Sequence, residues 1–368
     1  MSGICGEAFV VLAPITESDQ TIIYGRNGLR EPPSDESAVT EVRYYPASED
    51  SGSLKCDSAE IDGVATLSVI LSQPAGLWGA ESGSNEKGVS IGLTFSDGHP
   101  LDGKLNATDL VRLGLERGAS ASDAIDIMTK LNAASGPDGE SKDAPKAAFV
   151  ICDPSEAWLL NIVGSLWAAH KISTSCLALT SGLSVGSKID RSSVDLHSKL
   201  QAAGIWDGSA ELNFSAAFGS ESARAWPTGE PNGEGTFGLL QMFKTLRTVG
   251  AERLSLSSQV SVLSSSGLSC HWLTATPNPE ESVFKPFIFT SGAKISPLTK
   301  LLEGENQTLL HKLHQNRKWE NVGELLMSLE RTCVDEVNRF IGEHSGEPNQ
   351  ELDELMKDCV EAEVKFYR

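Results

Sequence analysis

The hydrophobic period of this chain switches along its length, and the order of the switches limits the folds open to it. Short apolar or alternating runs come first, at 5–12, 21–27, 41–45, 65–71 and 89–93, parted by Pro14 and by Gly- and Ser-rich turns. Two helical stretches follow. Asn106 opens one that carries Leu110, Leu113 and Leu115, and Ser120 or Ser122 caps a second with Ala124, Ile127, Met128 and Leu131. Strand-like runs then resume at 147–152, 157–163, 167–172 and 176–180, after a polar segment at 135–144 that reads as an exposed loop. A Gly- and Pro-containing stretch at 209–238 reads as loop, 237–249 as a helix, and 260–263, 271–274 and 287–289 as strands. From 297 onward the period is helical only, at 301–317, 322–340 and 351–366. Strands, a helix pair, then strands again describe a layered α+β body rather than a parallel alternation. The body spans 5–296, and 297–368 is a helical C-terminal extension packed on it.

Charge narrows the function classes. The chain has 368 residues with 30 Lys+Arg against 50 Asp+Glu, a net charge of −20, to which the segment from Lys300 to Arg368 contributes 9 basic and 15 acidic residues. Such a surface repels phosphate backbones and anionic lipid, so neither nucleic acid nor a membrane surface is an expected partner. No apolar run reaches the roughly 18 residues of a membrane span. The first basic residue is Arg26, which leaves no positive region for a secretory or transit signal. Seven cysteines are scattered without a C-x-x-C pair, so free thiols in a reducing cytoplasm are expected, with the three N-x-S/T sequons left bare. No metal or other cofactor is expected: His311 and His314 lie one turn apart without a carboxylate pattern and read as a surface face, and Cys270-His271 are adjacent strand residues on opposite faces.

One residue offers chemistry. Cys5 stands at the start of the first strand, and removal of residues 1–4 as a propeptide would put its thiol beside its own α-amine. An α-amine titrates at about 7.7–8.0, which suits a general base near neutral pH. One residue then supplies nucleophile and base together. A cysteine at position five is otherwise an ordinary buried thiol. Arg26 is placed to orient a substrate carboxylate or the thiolate, or else faces solvent from a hairpin; Asn85 is placed to bond substrate, or else serves its own turn.

Tyr24-Gly25-Arg26-Asn27 after an N-terminal Cys strand resembles the G-[RK]-N hairpin of N-terminal-nucleophile amidohydrolases, and Asn85-Glu86-Lys87-Gly88-Val89 resembles their N-E-x-G-[VL] turn. More specific are the runs from Trp78 to Glu86, Asp109 to Arg117 and Phe284 to Phe289. With Glu156-Ala157-Trp158, Trp167-Ala168-Ala169 and Asp358-Cys359-Val360, they resemble the secernins, a branch of a cysteine dipeptidase family, in the expected order from Cys5 to the C-terminus. The resemblance implies a four-layer αββα N-terminal-nucleophile sandwich and hydrolysis of a small peptide or other linear amide through a thioester on Cys5. It implies substrate contacts from Arg26, Asn27, Asn85 and Ser181, and, through the family name, a link with regulated secretion and partners in the secretory machinery. It sets no oligomeric state.

The chain departs from the family in three places. Cys5-Gly6-Glu7-Ala8-Phe9 stands where the family has C-D-T-F, one residue longer, which changes strand-face parity unless a bulge absorbs it. Leu29 stands where active relatives carry an Asp, and Ser181 where they carry an oxyanion-donating Asn. Losing such a donor costs about 10²–10³ in rate. The alternative is therefore a fold-retaining pseudoenzyme that acts through interactions.

Overall fold

In the computed structural model, residues 3–29, 39–49, 52–101, 105–133, 141–222, 226–227, 229–250, 255–343 and 350–367 are described. Met1 and Ser2 of the expected propeptide and most of the expected 135–144 loop lie outside the described residues.

β1 (Ile4–Val11) and β2 (Thr21–Leu29) pair antiparallel, residue for residue, from Cys5 opposite Leu29 to Val11 opposite Ile23. β3 (Thr40–Tyr45), the small ribbon of β4 (Ser53–Lys55) and β5 (Glu60–Asp62), and the meander β6 (Val69–Pro74), β7 (Ser82–Asn85) and β8 (Ser90–Ser96) follow. Then come α1 (Ala107–Arg117), α2 (Ala121–Ala133), β9 (Lys146–Cys152), β10 (Ala157–Val163), β11 (Leu166–Lys171), β12 (Cys176–Leu179) and β13 (Arg191–Ser192). Short α3 (Leu196–Ala202) and α4 (Phe214–Ala217) lead to α5 (Leu239–Gly250), β14 (Ser255–Ser264), β15 (Cys270–Leu273) and β16 (Lys285–Phe287). The chain closes with α6 (Leu309–Asn316), α7 (Trp319–Glu343) and α8 (Leu355–Phe366).

Several boundaries shift for identifiable reasons. The strand expected at 65–71 is found at Val69–Pro74, because the Thr66 backbone is bridged to Ser48 and the Leu67 N–H is spent on the Glu116 carbonyl at the end of α1. The helix expected at 301–317 is confined to α6, whose start is set by Thr308 accepting from the His311 N–H. The stretch expected as loop at 209–238 carries α4, capped by the Asn213 side chain.

Fourteen strands form one antiparallel network, running β13-β11-β10-β9-β8-β1-β2-β14-β15-β16, with β12 beside β1 and β3-β6-β7 joined to β8. The network bends at β1. Its first residues, Ile4 and Cys5, lie opposite Ser96 and Phe95 of β8, whereas Ala8 to Val11 lie on β12. Strand alternation then sends successive side chains to different layers. Ala8, Val10 and Tyr24 meet Val150 and Leu159 in a core between the two arms of the network, while Phe9 and Val11 pack with Phe243 of α5 and Leu326 and Val337 of α7. On the far side, α1 and α2 cover Leu71, Ile91 and Phe149. At about 1.5–3 kcal/mol per fully buried large apolar side chain, each of these layers is a major source of stability.

The C-terminal helices share these cores. Cys333, Val334 and Cys359 join the cluster around Trp272, and Leu310, Met356 and Val360 join Val42, Ile70 and Phe287. His311 and His314, expected on a surface face, are 4% and 3% exposed: α6 lays that face inward, toward Tyr367 after α8. No helix among the described residues is long and apolar enough to cross a membrane.

Candidate active site

Cys5 is half-buried at the point where β1 changes partners, with Leu29 of β2 on one side and Phe95 of β8 on the other. The pairing of β1 with β2 shows no register shift from Cys5 to Val11, so the extra residue between Cys5 and Phe9 is not absorbed by a bulge. Cys5 therefore shares a strand face with Glu7, Phe9 and, across the ladder, Asn27; this is the face that α5 covers. Ile4, just before it, is 7% exposed and packs with Leu101 and Leu105, and it borders a narrow crevice lined by Ser96, Asn106 and Thr108. With Ile4 in place the nitrogen of Cys5 is an amide, and only removal of the preceding residues converts it to a base.

Arg26, opposite Ala8, projects from the other face. It is 1% exposed: its Nε donates to the Leu93 carbonyl at 2.9 Å, and its Nη2 lies 3.4 Å from the carboxylate of Glu81 on the approach to β7. Three glycines make this possible: Gly92, where a Cβ would stand 2.8 Å from the Arg26 Cδ, and Gly6 and Gly28. A Cβ at Gly6 would stand 2.9 Å from the Leu93 oxygen and 3.2 Å from Nη2, and one at Gly28 would stand 2.9 Å from Nη1. The guanidinium is thus seated against Gly6, the residue after Cys5, as a fixed charge in a glycine-walled slot. The solvent-facing placement considered for Arg26 is not what the fold adopts. Glu81 was not singled out by sequence; it stands within the Trp78–Glu86 motif, but no periodicity links it to Arg26 across the network.

Ser181 lies two residues beyond the end of β12, past Leu179, the last residue paired with β1. Its Oγ is sealed from solvent and makes no hydrogen bond. Gly6 and Glu7 lie between the stretch of β1 held by β8 and the stretch held by β12. The fork sets the seated Arg26 against the start of β1, and the idle Ser181 hydroxyl follows the strand that takes over the pairing.

The other expected contacts are held elsewhere. Asn27 is fully buried, donating to the Leu246 carbonyl of α5 at 2.9 Å and accepting from the Ser258 hydroxyl at 2.6 Å. Asn85 is likewise buried, and its amide is spent on backbone: it donates to the Leu115 and Gly118 carbonyls at 2.9 and 2.7 Å and accepts from the Lys87 and Val89 N–H groups at 3.0 Å. It also sits at the opposite end of β8 from Cys5, since Asn85 bonds to Val89 and Cys5 pairs with Phe95; that is roughly 20 Å at about 3.3 Å per strand residue. Leu29, 2% exposed, is the direct cross-strand neighbour of Cys5, so an Asp at this position would set a carboxylate beside the Cys5 thiol. Among the described residues no group of three or more His, Cys, Asp or Glu side chains is arranged to hold a metal ion.

No protein-family model matches the sequence. Two variants of a conjugated bile acid hydrolase from Clostridium perfringens are similar in structure at 11% identity, each comparison covering 77% of this chain and 97% of theirs, with TM-scores of 0.39 and 0.40. An N-acylethanolamine-hydrolyzing acid amidase ortholog from Caenorhabditis elegans is similar at 12% identity over 69% of this chain and 91% of its own, with a TM-score of 0.34. Likenesses this loose assign the chain neither a fold nor an activity.

Proposed function

We propose that the chain is a secernin-like amide hydrolase in which Cys5, freed at its nitrogen by removal of residues 1–4, is the nucleophile on a small peptide or related linear amide. The observation that carries this is the fork at the start of β1: a half-buried thiol and a guanidinium seated against Gly6, with a buried hydroxyl without a partner, Ser181, just past the strand that takes over the pairing. The two arms facing each other across the Val10 and Leu159 core, with α1 and α2 outside one and α5, α7 and α8 outside the other, support the four-layer αββα arrangement that this chemistry uses. In the reaction the free amine takes the thiol proton, the thiolate attacks the carbonyl, the Ser181 hydroxyl donates to the developing oxyanion, and the leaving amine recovers the proton. Water then hydrolyses the thioester. Arg26 acts through electrostatics, holding anionic charge near Gly6.

Leu29 beside Cys5 and the fully committed amide of Asn85 favour a second reading, a catalytically impaired protein that works through partners, including those of regulated secretion. A cytoplasmic site of action suits either reading. One experiment separates them. Intact-mass measurement of the native protein should show Cys5 as the first residue, and a dipeptide and acyl-amide panel should show turnover that Cys5→Ala abolishes. Retention of residues 1–4 in fully active protein would sink the amine-base mechanism, and a panel without turnover by a trimmed chain would leave the partner reading in place.

A further inference from the structure

β12 pairs with β1 and, among the described residues, with no other strand. The Leu12 N–H bond to the Ser175 carbonyl at 2.8 Å sets the phase of that ladder. In this phase Leu177 and Leu179 turn their backbone groups toward β1, and Cys176 and Ala178 turn theirs outward. The outward carbonyl of Cys176 is taken by the Thr174 hydroxyl at 3.0 Å, and beyond the strand the Thr180 carbonyl is taken by the Ser222 hydroxyl. The Ala178 N–H and C=O between them have no such cover among the described residues.

Ala178 lines a cleft of about 450 Å³, together with Cys176 and Leu177 of the same strand. Trp226 walls one side, its ring 5.1 Å from that of Phe9, and Leu159 and Ile172 wall the other from the facing arm. A second cavity of about 440 Å³ shares His170 and Lys188 with the first and is lined by hydroxyls, Ser184 and Ser222 among them. His170 is paired with Asp190 at 2.7 Å, whereas Lys188 has no ion pair among the described residues. Glu221 and Glu230 also line these cavities, so a polyanion is disfavoured and a single carboxylate at Lys188 is accommodated.

We propose that this cleft binds an extended peptide as an added strand on β12, its backbone bonded to Ala178 and its free carboxylate at Lys188. A strand edge without a partner strand supplies main-chain donors and acceptors at the spacing of an extended chain, and the cleft walls supply pockets for alternate side chains. The strand runs on to Ser181 at the fork, so the docked chain is led toward Cys5. Only that last clause rests on the amide-hydrolase reading.

The test uses full-length Cys5→Ala protein and a panel of hexapeptides, fluorescein-labelled at the N-terminus with a free C-terminus, read by anisotropy. Members of the panel are expected to bind, with C-terminal amidation or Lys188→Glu weakening them about tenfold. N-methylation at alternate residues in one phase should abolish binding, while methylation in the other phase leaves it intact. Ala178→Pro removes the outward N–H from an edge strand, where proline is tolerated, and should abolish binding as well. The ligand-side methylation keeps the test valid should that variant misfold. Equal binding of both methylated phases, or no binding below 1 mM by any hexapeptide, overturns the proposal. Peptide binding without turnover in the unsubstituted protein would count against the hydrolase reading alone, and turnover of short amides indifferent to Ala178→Pro and to the methylation phase against the cleft alone.

Discussion

Among the described residues, two cation–carboxylate pairs are fully buried, and they are built differently. Lys285 of β16 and Glu363 of α8 are 2.9 Å apart with both side chains fully buried. The ammonium also donates to the Thr274 and Val283 carbonyls at 2.6 and 2.8 Å, and the Tyr367 hydroxyl donates to Glu363 at 2.5 Å. Arg26 and Glu81, equally buried, approach to 3.4 Å between Nη2 and Oε2. The first pair is saturated by backbone and locks the C-terminal helix to the sheet. The second sits in a slot walled by glycines, at the fork where β1 changes partners and one residue from a thiol, with the Arg26 Nε on the Leu93 carbonyl. A buried charge needs a full set of partners if it is only to hold a fold together. The first pair ties distant elements of the chain, and the second fixes a positive charge next to the start of β1.

The largest effect should come from the saturated pair. Glu363→Ala leaves a buried ammonium unpaired and should cost about 3–5 kcal/mol in urea unfolding, without changing catalysis per folded molecule. A loss below about 1 kcal/mol would show that the lock is not one. At the fork the split reverses: Ser181→Ala should lower kcat about 10²-fold with stability nearly unchanged, because its hydroxyl has no partner to lose. Asn85→Ala is the control from the far end of β8. It should cost about 1–3 kcal/mol through its orphaned turn and α1 carbonyls and leave kcat within a few-fold. An Asn85→Ala variant that folded as well as its parent and lost turnover would reverse the assignment of these two residues.

Acid should probe the same contrast. Burial holds the His271 imidazole down at about 3, and burial, then the charges of Arg317 and Lys285, holds His314 at about 2. Unfolded histidine titrates near about 6.5, so the unfolded chain binds more protons below that pH. The stabilising contribution is complete above about pH 6.5 and is lost as the pH falls from there toward the folded values. Urea midpoints measured from pH 7 to pH 4 should fall, and His314→Gln should flatten the slope. An unchanged slope would mean that His314 is open to protonation in the native state. A smaller gain is expected from Leu29→Asp, which sets a carboxylate opposite Cys5 and should raise turnover of trimmed protein severalfold if the missing carboxylate limits it.

Strand and helix periods are local, and so the α+β order, the helix pair after Asn106 and the helical C-terminus were legible in the chain. Asn106 at the start of α1 and Thr308 at the start of α6 mark their helices by side-chain chemistry that sequence displays. Cys5 was legible by position. What a side chain meets across the network was not. Arg26 looked like a hairpin end and is buried because Gly6 and Gly28 leave it room and Glu81, far away in the chain, offers its charge. Asn85 looked like a substrate contact, and the end of α1 takes its amide. His311 and His314 looked like a surface, and the packing of α6 turned them inward.

Sequence by itself determined the period of each segment, the acidic charge and the place of the thiol, because these depend on neighbours within a few residues. Tertiary structure alone decided the fork of β1, the open edge of β12 and the partner of each buried charge. These follow from how strands distant in the chain exhaust, or fail to exhaust, one another's hydrogen-bonding groups.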